Sequence, residues 1–191
     1  SSGDVHICAL DDAGTISCFG NTEGDKEDFG QVSDTPTDSG YLQVSSGFYH
    51  NCALRSDQTV ECWGRDQAGQ ASPPDGEFQF LSGGYNNHCG LRMDGTAECW
   101  GMDTDRIHPP GGTFTTLHSR IWGSCGTRAD NTIDCWGHTE EDKYDFGQIS
   151  EAPDDDGEAY IHVGLGLYHG CVVTSDGAIE CWGQDTYGQT S

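Results

Sequence analysis

The sequence predicts an all-β chain built from five short repeats, each a hairpin stapled by its own disulfide, and three observations carry that expectation. Five times a cysteine is followed ten residues later by a second one, which is followed at once by an aromatic residue and a glycine. The pairs are Cys8/Cys18, Cys52/Cys62, Cys89/Cys99, Cys125/Cys135 and Cys171/Cys181, and the aromatics are Phe19, Trp63, Trp100, Trp136 and Trp182. Second, 28 glycines and many Asp/Asn/Ser clusters punctuate the chain, and no run of about 10 to 12 residues shows apolar spacing of 3.6, so strands and turns are expected rather than helices. Third, the first cysteines are spaced by 44, 37, 36 and 46 residues, the range of blade-like repeats.

Each unit has one anatomy. In the second, residues 48–54 (FYHNCAL) alternate as a strand, Ser56-Asp57-Gln58 turns the chain, and residues 59–64 (TVECWG) return. If the two cysteines lie opposite each other, the loop has three residues and its last position needs a left-handed backbone. That position holds Gly14, Gln58, Gly95, Asn131 and Gly177, so three glycines and an asparagine support the register independently of the cysteines. A disulfide closing so short a loop contributes about 2 to 3 kcal/mol, which offsets the 34% apolar content, low for a well-filled core. Zinc is the competing reading, but zinc sites join thiolates through tight turns of about two to four residues, whereas nine intervene in every pair here.

Between the hairpins lie further apolar strands at residues 41–44 (YLQV), 78–81 (FQFL), 114–117 (FTTL) and 160–163 (YIHV). After most aromatic-Gly pairs comes Gly-Gln, at Gly30-Gln31, Gly69-Gln70, Gly147-Gln148 and Gly188-Gln189, while the third unit has His108-Pro109-Pro110 instead. Such cysteine usage implies an oxidising compartment. No leader and no apolar run of about 20 residues is visible, so the expectation is a secreted or cell-surface segment, a single domain over residues 1–191, without membrane insertion. The formal net charge of -24 disfavours nucleic acid and anionic lipid and favours divalent cations or basic partners.

These residues resemble the repeat of the regulator of chromosome condensation family, in which a Gly-x-x-His-x-x-x-Leu strand, an Asp-Gly turn, an aromatic-Gly pair and a Gly-Gln build one β-propeller blade. The second unit matches through Gly47, His50, Leu54, Asp57, Trp63, Gly64, Gly69 and Gln70, and the last through Gly166, His169, Asp176, Gly177, Trp182, Gly183, Gly188 and Gln189. The paired cysteines resemble the form found in exported members. Asn87 and Gly123 depart from the histidine, and Arg120 from the glycine. The family's founding activity, nucleotide exchange on a chromatin-bound GTPase, fits neither disulfides nor an acidic surface and is not carried over. The resemblance implies a β-propeller of about five blades. Five hairpins but four intervening strands mean that a closed ring lacks one strand unless further chain or another copy supplies it.

Family propellers bind partners through loops on one face, and here the residues before each hairpin include Phe48, Tyr49, Tyr85, Trp122 and Tyr168. Aromatics there suit a protein or glycan partner. The repeated His6, His50 and His169 are expected to bond neighbouring backbone. Residues 21–33 (NTEGDKEDFGQVS) and 138–150 (HTEEDKYDFGQIS) are nearly the same insertion. They offer Glu23, Asp25, Asp28, Glu140, Asp142 and Asp145 as candidate Ca2+ ligands, because flexible oxygen-rich loops suit that ion. No Gly-x-Ser-x-Gly, His-Glu-x-x-His or phosphate-cradling loop is present, so no catalytic residue is assigned. The expected function is a non-enzymatic binding or assembly module, with self-assembly by strand addition and calcium binding as finer expectations. A secreted inhibitor or lectin-like binder using the aromatic face is the alternative.

Overall fold

A computed structural model describes residues 1–21, 27–102, 108–138, 145–153 and 158–191. Among these residues the strands form five antiparallel sheets, one per repeat. The first unit has two strands, β1 (His6–Leu10) and β2 (Ile16–Gly20). The second has β3 (Tyr41–Ser46), β4 (His50–Arg55) and β5 (Val60–Gly64), and the third has β6 (Phe78–Gly83), β7 (Asn87–Arg92) and β8 (Ala97–Gly101). The fourth has β9 (His118–Ser119), β10 (Gly123–Thr127) and β11 (Ile133–Gly137), and the fifth β12 (Tyr160–Leu165), β13 (His169–Thr174) and β14 (Ile179–Gly183).

The cysteine register is observed in all five hairpins. Cys8 pairs with Cys18, Cys52 with Cys62, Cys89 with Cys99, Cys125 with Cys135 and Cys171 with Cys181, and each pair is disulfide-bonded with Cα atoms 4.0 to 4.1 Å apart. The turn positions are left-handed throughout, with φ of 77° at Gly14, 71° at Gln58, 84° at Gly95, 69° at Asn131 and 89° at Gly177.

The fourth intervening strand differs from expectation. Residues 114–117 do not form it; the strand is the two-residue β9, paired to β10 at Ser119 and His118, with Phe114 making an isolated bridge to Arg128. The cause is threonine chemistry. The amides of Thr115 and Thr116 both donate to the Thr127 carbonyl, and the Thr115 and Thr116 hydroxyls both bond the Thr127 hydroxyl, so side chains replace the regular ladder.

Four core clusters lie between consecutive units and use the same parts each time. Cys8 and Ile16 pack against Tyr41, Ala53 and Trp63. Cys52 and Leu54 pack against Phe78, Leu81 and Trp100, and Cys89 and Leu91 against Phe114, Leu117 and Trp136. Cys125 and Ile149 meet Tyr160, Val163 and Trp182. One unit thus offers its first cysteine, and the next covers it with its tryptophan and intervening strand. Each large apolar side chain so buried contributes about 1.5 to 3 kcal/mol. Among the described residues no such cluster joins the fifth unit to the first. Phe19, in the tryptophan position, is 61% exposed, and Ile179 on the fifth unit is 72% exposed. Cys171 is only partly buried.

The first sheet lacks its intervening strand, as the count of strands implied. Ser1 partly stands in: its carbonyl accepts from the Cys8 amide at 2.9 Å, and its amino group donates to the Cys8 carbonyl at 2.8 Å.

The Gly-x-x-His pair is steric. A Cβ on Gly47 would sit 2.0 Å from the His50 ring, and one on Gly166 2.3 Å from the His169 ring. In the fourth unit Gly123 removes the imidazole, which explains why Arg120 can stand where the others have glycine. Two of the three histidines bond the next unit's side chains rather than backbone: His6 Nε2 lies 2.7 Å from Asn51 Oδ1, and His50 Nε2 lies 3.1 Å from His88 Nδ1. Burial lowers His6, holds His50 down at about 3 with a contribution from His6, and pushes His88 well below the usual value.

Candidate functional site

The loops that enter each first hairpin strand are held by one repeated bond. The amides of Asn21, Arg65, Met102, His138 and Gln184, each directly after an aromatic-Gly pair, donate to the carbonyls of Val5, Tyr49, Asn86, Trp122 and Tyr168 at 2.8 to 3.1 Å. Those glycines are required: a Cβ on Gly64 would lie 2.7 Å from the Tyr49 carbonyl, and Gly64 has φ of 97°. The shared register sorts the loop residues into two rows. Asp4, Phe48, Tyr85, Ile121 and Leu167 form an inner row, and Val5, Tyr49, Asn86, Trp122 and Tyr168 an outer one.

Asp4, Phe48, Ile121 and Leu167 of the inner row line a cavity of about 210 Å³ to which every unit contributes, the third through Gly83 and Gly84, with Arg120 adding a cation. The loops are tied together around it. The Asp4 amide donates to the Phe48 carbonyl at 3.2 Å, and the Phe48 amide to the Gly84 carbonyl at 3.2 Å.

An aromatic chain runs from this cavity outward across three units. Ring centroids are 4.5 Å apart for Phe48 and Tyr85, 4.7 Å for Phe48 and Tyr49, and 6.1 Å for Tyr85 and Trp122. Phe29 extends it beyond Tyr49 at 5.2 Å, and His138 beyond Trp122 at 5.3 Å. The structure therefore brings together Phe48, Tyr49, Tyr85 and Trp122 from the sequence-predicted set. Tyr168 stands apart, paired with Phe146 at 4.5 Å. All five predicted aromatics are partly exposed, in the range where large rings contact a partner at little entropic cost.

Sequence reading missed Phe29, Phe146, His138 and Arg65 as parts of this face. Recurrence of Phe29 and Phe146 within the repeated insertion was the available signal. Arg65 lies over the Phe29 ring at 5.2 Å and the Tyr49 ring at 5.8 Å, while the Tyr49 hydroxyl donates to Glu27 Oε1 at 3.3 Å. Burial, then the Glu27 charge, raises Tyr49 above the ordinary phenol range.

Of the candidate metal ligands, Glu23, Asp25, Glu140 and Asp142 lie outside the described residues. Asp28 and Asp145 are described, and each uses Oδ1 to accept a loop amide, from Gly30 and Gly147 respectively, at 2.9 Å. Among the described residues no group of three or more His, Cys, Asp or Glu side chains is placed to hold a metal ion. The Gly-Gln motif is a loop device: Gln31, Gln70, Gln148 and Gln189 each accept the amide two residues earlier through Oε1, at 2.7 to 2.8 Å.

The regulator of chromosome condensation (RCC1) repeat matches residues 42–70 and 160–189. No curated protein matches the chain in sequence. Among solved structures, the entire ectodomain of a Physcomitrella patens receptor kinase is 26% identical, with a TM-score of 0.78 over 96% of this chain and 51% of that one. The CRINKLY WD40 ectodomain of an Arabidopsis thaliana receptor kinase is 23% identical, with a TM-score of 0.72 over 100% of this chain and 64% of that one. Prp20p of Saccharomyces cerevisiae, described with its binding to Gsp1p and histones, is 17% identical, with a TM-score of 0.72 over 94% of this chain and 56% of that one. The chain thus spans between half and two-thirds of the length of these proteins. The second and fifth units thus match that repeat, and the chain as a whole has an all-β, propeller-like fold of five units, each stapled by its own hairpin disulfide.

Proposed function

We propose that this propeller is an extracellular, non-enzymatic binding module whose hub face holds a protein partner. The observation that carries the reading is the aromatic chain Phe29, Tyr49, Phe48, Tyr85, Trp122 beside a cavity lined by all five units. Rigid aromatic anchors around a concavity are the usual anatomy of a protein-binding hot spot. Ectodomain likeness and disulfides support an extracellular setting, and the net charge of -24 favours a basic surface on the partner.

The test is affinity capture from the extracellular protein fraction of the source, comparing the wild type with Phe48→Ala/Trp122→Ala and with Ile161→Ala. Ile161 is 52% exposed and is the second residue of β12, at the end away from the hub loops. A partner retained by wild type and Ile161→Ala, and weakened at least about thirtyfold by the double variant, is expected, since the loss of even one anchor of this kind costs about 2 kcal/mol. Undiminished binding by the double variant overturns the hub reading.

Self-assembly is a second reading, favoured by one observation. The exposed Phe19 and Ile179 belong to the two faces that, in the other units, cover one another.

A further inference from the structure

The two insertions build the same loop twice, down to individual bonds. Phe29 and Phe146 each donate their amide to a glutamine Oε1 at 2.7 Å, from Gln31 and Gln148. The preceding Asp28 and Asp145 each accept a glycine amide at 2.9 Å. The carbonyls of Gln31 and Gln148 each accept the indole N–H of the next unit's tryptophan, Trp63 or Trp182, at 3.1 Å. Each phenylalanine then meets the next unit's outer-row tyrosine, Phe29 with Tyr49 at 5.2 Å and 53°, Phe146 with Tyr168 at 4.5 Å and 61°.

What covers these pairs differs. Over Phe29 and Tyr49 lies the Arg65 guanidinium, whose amide is fixed to the Tyr49 carbonyl at 2.9 Å. Gln184 occupies the same register, with its amide on the Tyr168 carbonyl at 2.9 Å, and it carries no charge. The other units also place an interacting side chain there: Met102 accepts from Asn86 at 3.7 Å, and His138 packs on Trp122. Among the described residues no cation stands over Phe146 and Tyr168, and Phe146 is 42% exposed. A second difference lies in how the flanking carboxylates are satisfied. Asp145 Oδ2 is enclosed without a hydrogen-bond partner, so its carboxylate is only half satisfied immediately beside Phe146. In sequence, Tyr144 replaces Glu27.

We propose that Phe146 and Tyr168 form an open cation site that takes an arginine side chain of the protein partner, as the Phe29 and Tyr49 pair takes Arg65 within the chain. A guanidinium is the chemistry favoured because the filled copy shows it seated on two tilted rings, and a planar cation stacks on aromatic faces better than an ammonium. The proposal rests on the hub reading, since Tyr168 lies in the outer row of that face.

The test uses N-acetylarginine amide as probe and its uncharged citrulline isostere as control, followed through the ring carbon and proton signals of the 191-residue chain. Saturable shifts at Phe146 and Tyr168 with the arginine compound alone are expected. Gln184→Arg supplies the missing cation internally and is expected to weaken the probe by up to about fivefold, the upper end for one exposed cation–aromatic contact. Arg65→Gln vacates the other pair and is expected to add shifts at Phe29 and Tyr49. Silent rings at Phe146 and Tyr168, equal shifts with citrulline, unaltered probe binding in Gln184→Arg, or silent Phe29 and Tyr49 in Arg65→Gln each overturn the proposal. The probe acts without the partner, so its failure is read separately from that of the capture experiment.

Discussion

His50 and His88 face each other across the second and third units, Nε2 to Nδ1 at 3.1 Å, and neither ring reaches solvent. Only one of the two nitrogens can donate, so the contact requires the accepting ring to be neutral, and the outer nitrogens, His50 Nδ1 and His88 Nε2, have no partner to stabilise a charge on either ring. Burial is the main reason that His50 is held at about 3 and His88 well below 6.5. The unfolded chain therefore takes up these protons first. Stability is complete above about pH 6.5 and falls as pH drops toward 3, by about 1.4 kcal/mol per pH unit for each histidine that titrates only on unfolding. Urea midpoints measured from pH 7 to 5 are expected to fall in the wild type and to fall less in His88→Asn, which gives the third unit the same residue type as Asn51, the partner of His6. Equal slopes would show that the pair does not exclude protons. The turn aspartates Asp57, Asp94, Asp130 and Asp176 act in a separate window. Hydrogen bonds from threonine, chiefly from side chains, lower all four, so their contribution is present above about pH 4 and is lost only below it.

Two tryptophans in equivalent positions carry different burdens. Trp63 is 6% exposed and Trp136 is 7% exposed, yet the Trp63 indole donates to the Gln31 carbonyl at 3.1 Å, while Trp136 Nε1 is buried without a partner. In the third unit His108-Pro109-Pro110 stands where the others have Gly-Gln, so no equivalent glutamine carbonyl precedes Trp136. Trp63→Phe is expected to lose about 1 kcal/mol more than Trp136→Phe in chemical denaturation, because only the first removes a made hydrogen bond and the second removes an unsatisfied donor. Equal losses would show that the Gly-Gln loop adds nothing to this interface. Trp100 also lacks an indole partner, although Gln70 precedes it, and it stacks on His88 instead at 5.5 Å.

What was legible in the sequence was whatever repeats at fixed spacing. Cysteine spacing set the register, Gln58 and Asn131 sat at φ of 71° and 69° where the three-residue loop demanded a left-handed backbone, and the strand count exposed the short first sheet. Contacts between units were less legible, because they join residues roughly 40 positions apart whose partners change from one interface to the next. Thus His6 meets an asparagine but His50 meets a histidine, and residues 114–117 yield to Thr127, which stands where the second and third units have Leu54 and Leu91. The aromatic face was half legible. Its residues could be named, but adjacent pairs such as Phe48 and Tyr49 split into inner and outer rows only through the carbonyl that each loop offers to the next strand. Arg65 carried no signal, since its role depends on Phe29 arriving from the preceding unit.

The open faces give the last prediction. Phe19 stands where tryptophans elsewhere cover the preceding unit, and Ile179 stands on the face that such a tryptophan would cover, at 61% and 72% exposure. The same two kinds of face pair four times within the chain, so a second copy can supply what each lacks in a head-to-tail contact. Sedimentation of the wild type is expected to show concentration-dependent association, and Phe19→Asp and Ile179→Glu are each expected to be monomeric, since a charge on either face must be desolvated. Each variant keeps one intact face, the fifth unit's in Phe19→Asp and the first unit's in Ile179→Glu. An equimolar mixture should therefore stop at a one-to-one dimer, because the contact joins unlike faces and the remaining pair is blocked on both sides. A symmetric contact between like faces would instead let one variant dimerise alone, and a wild type that stays monomeric at every concentration would remove self-assembly and leave both faces to other repeats.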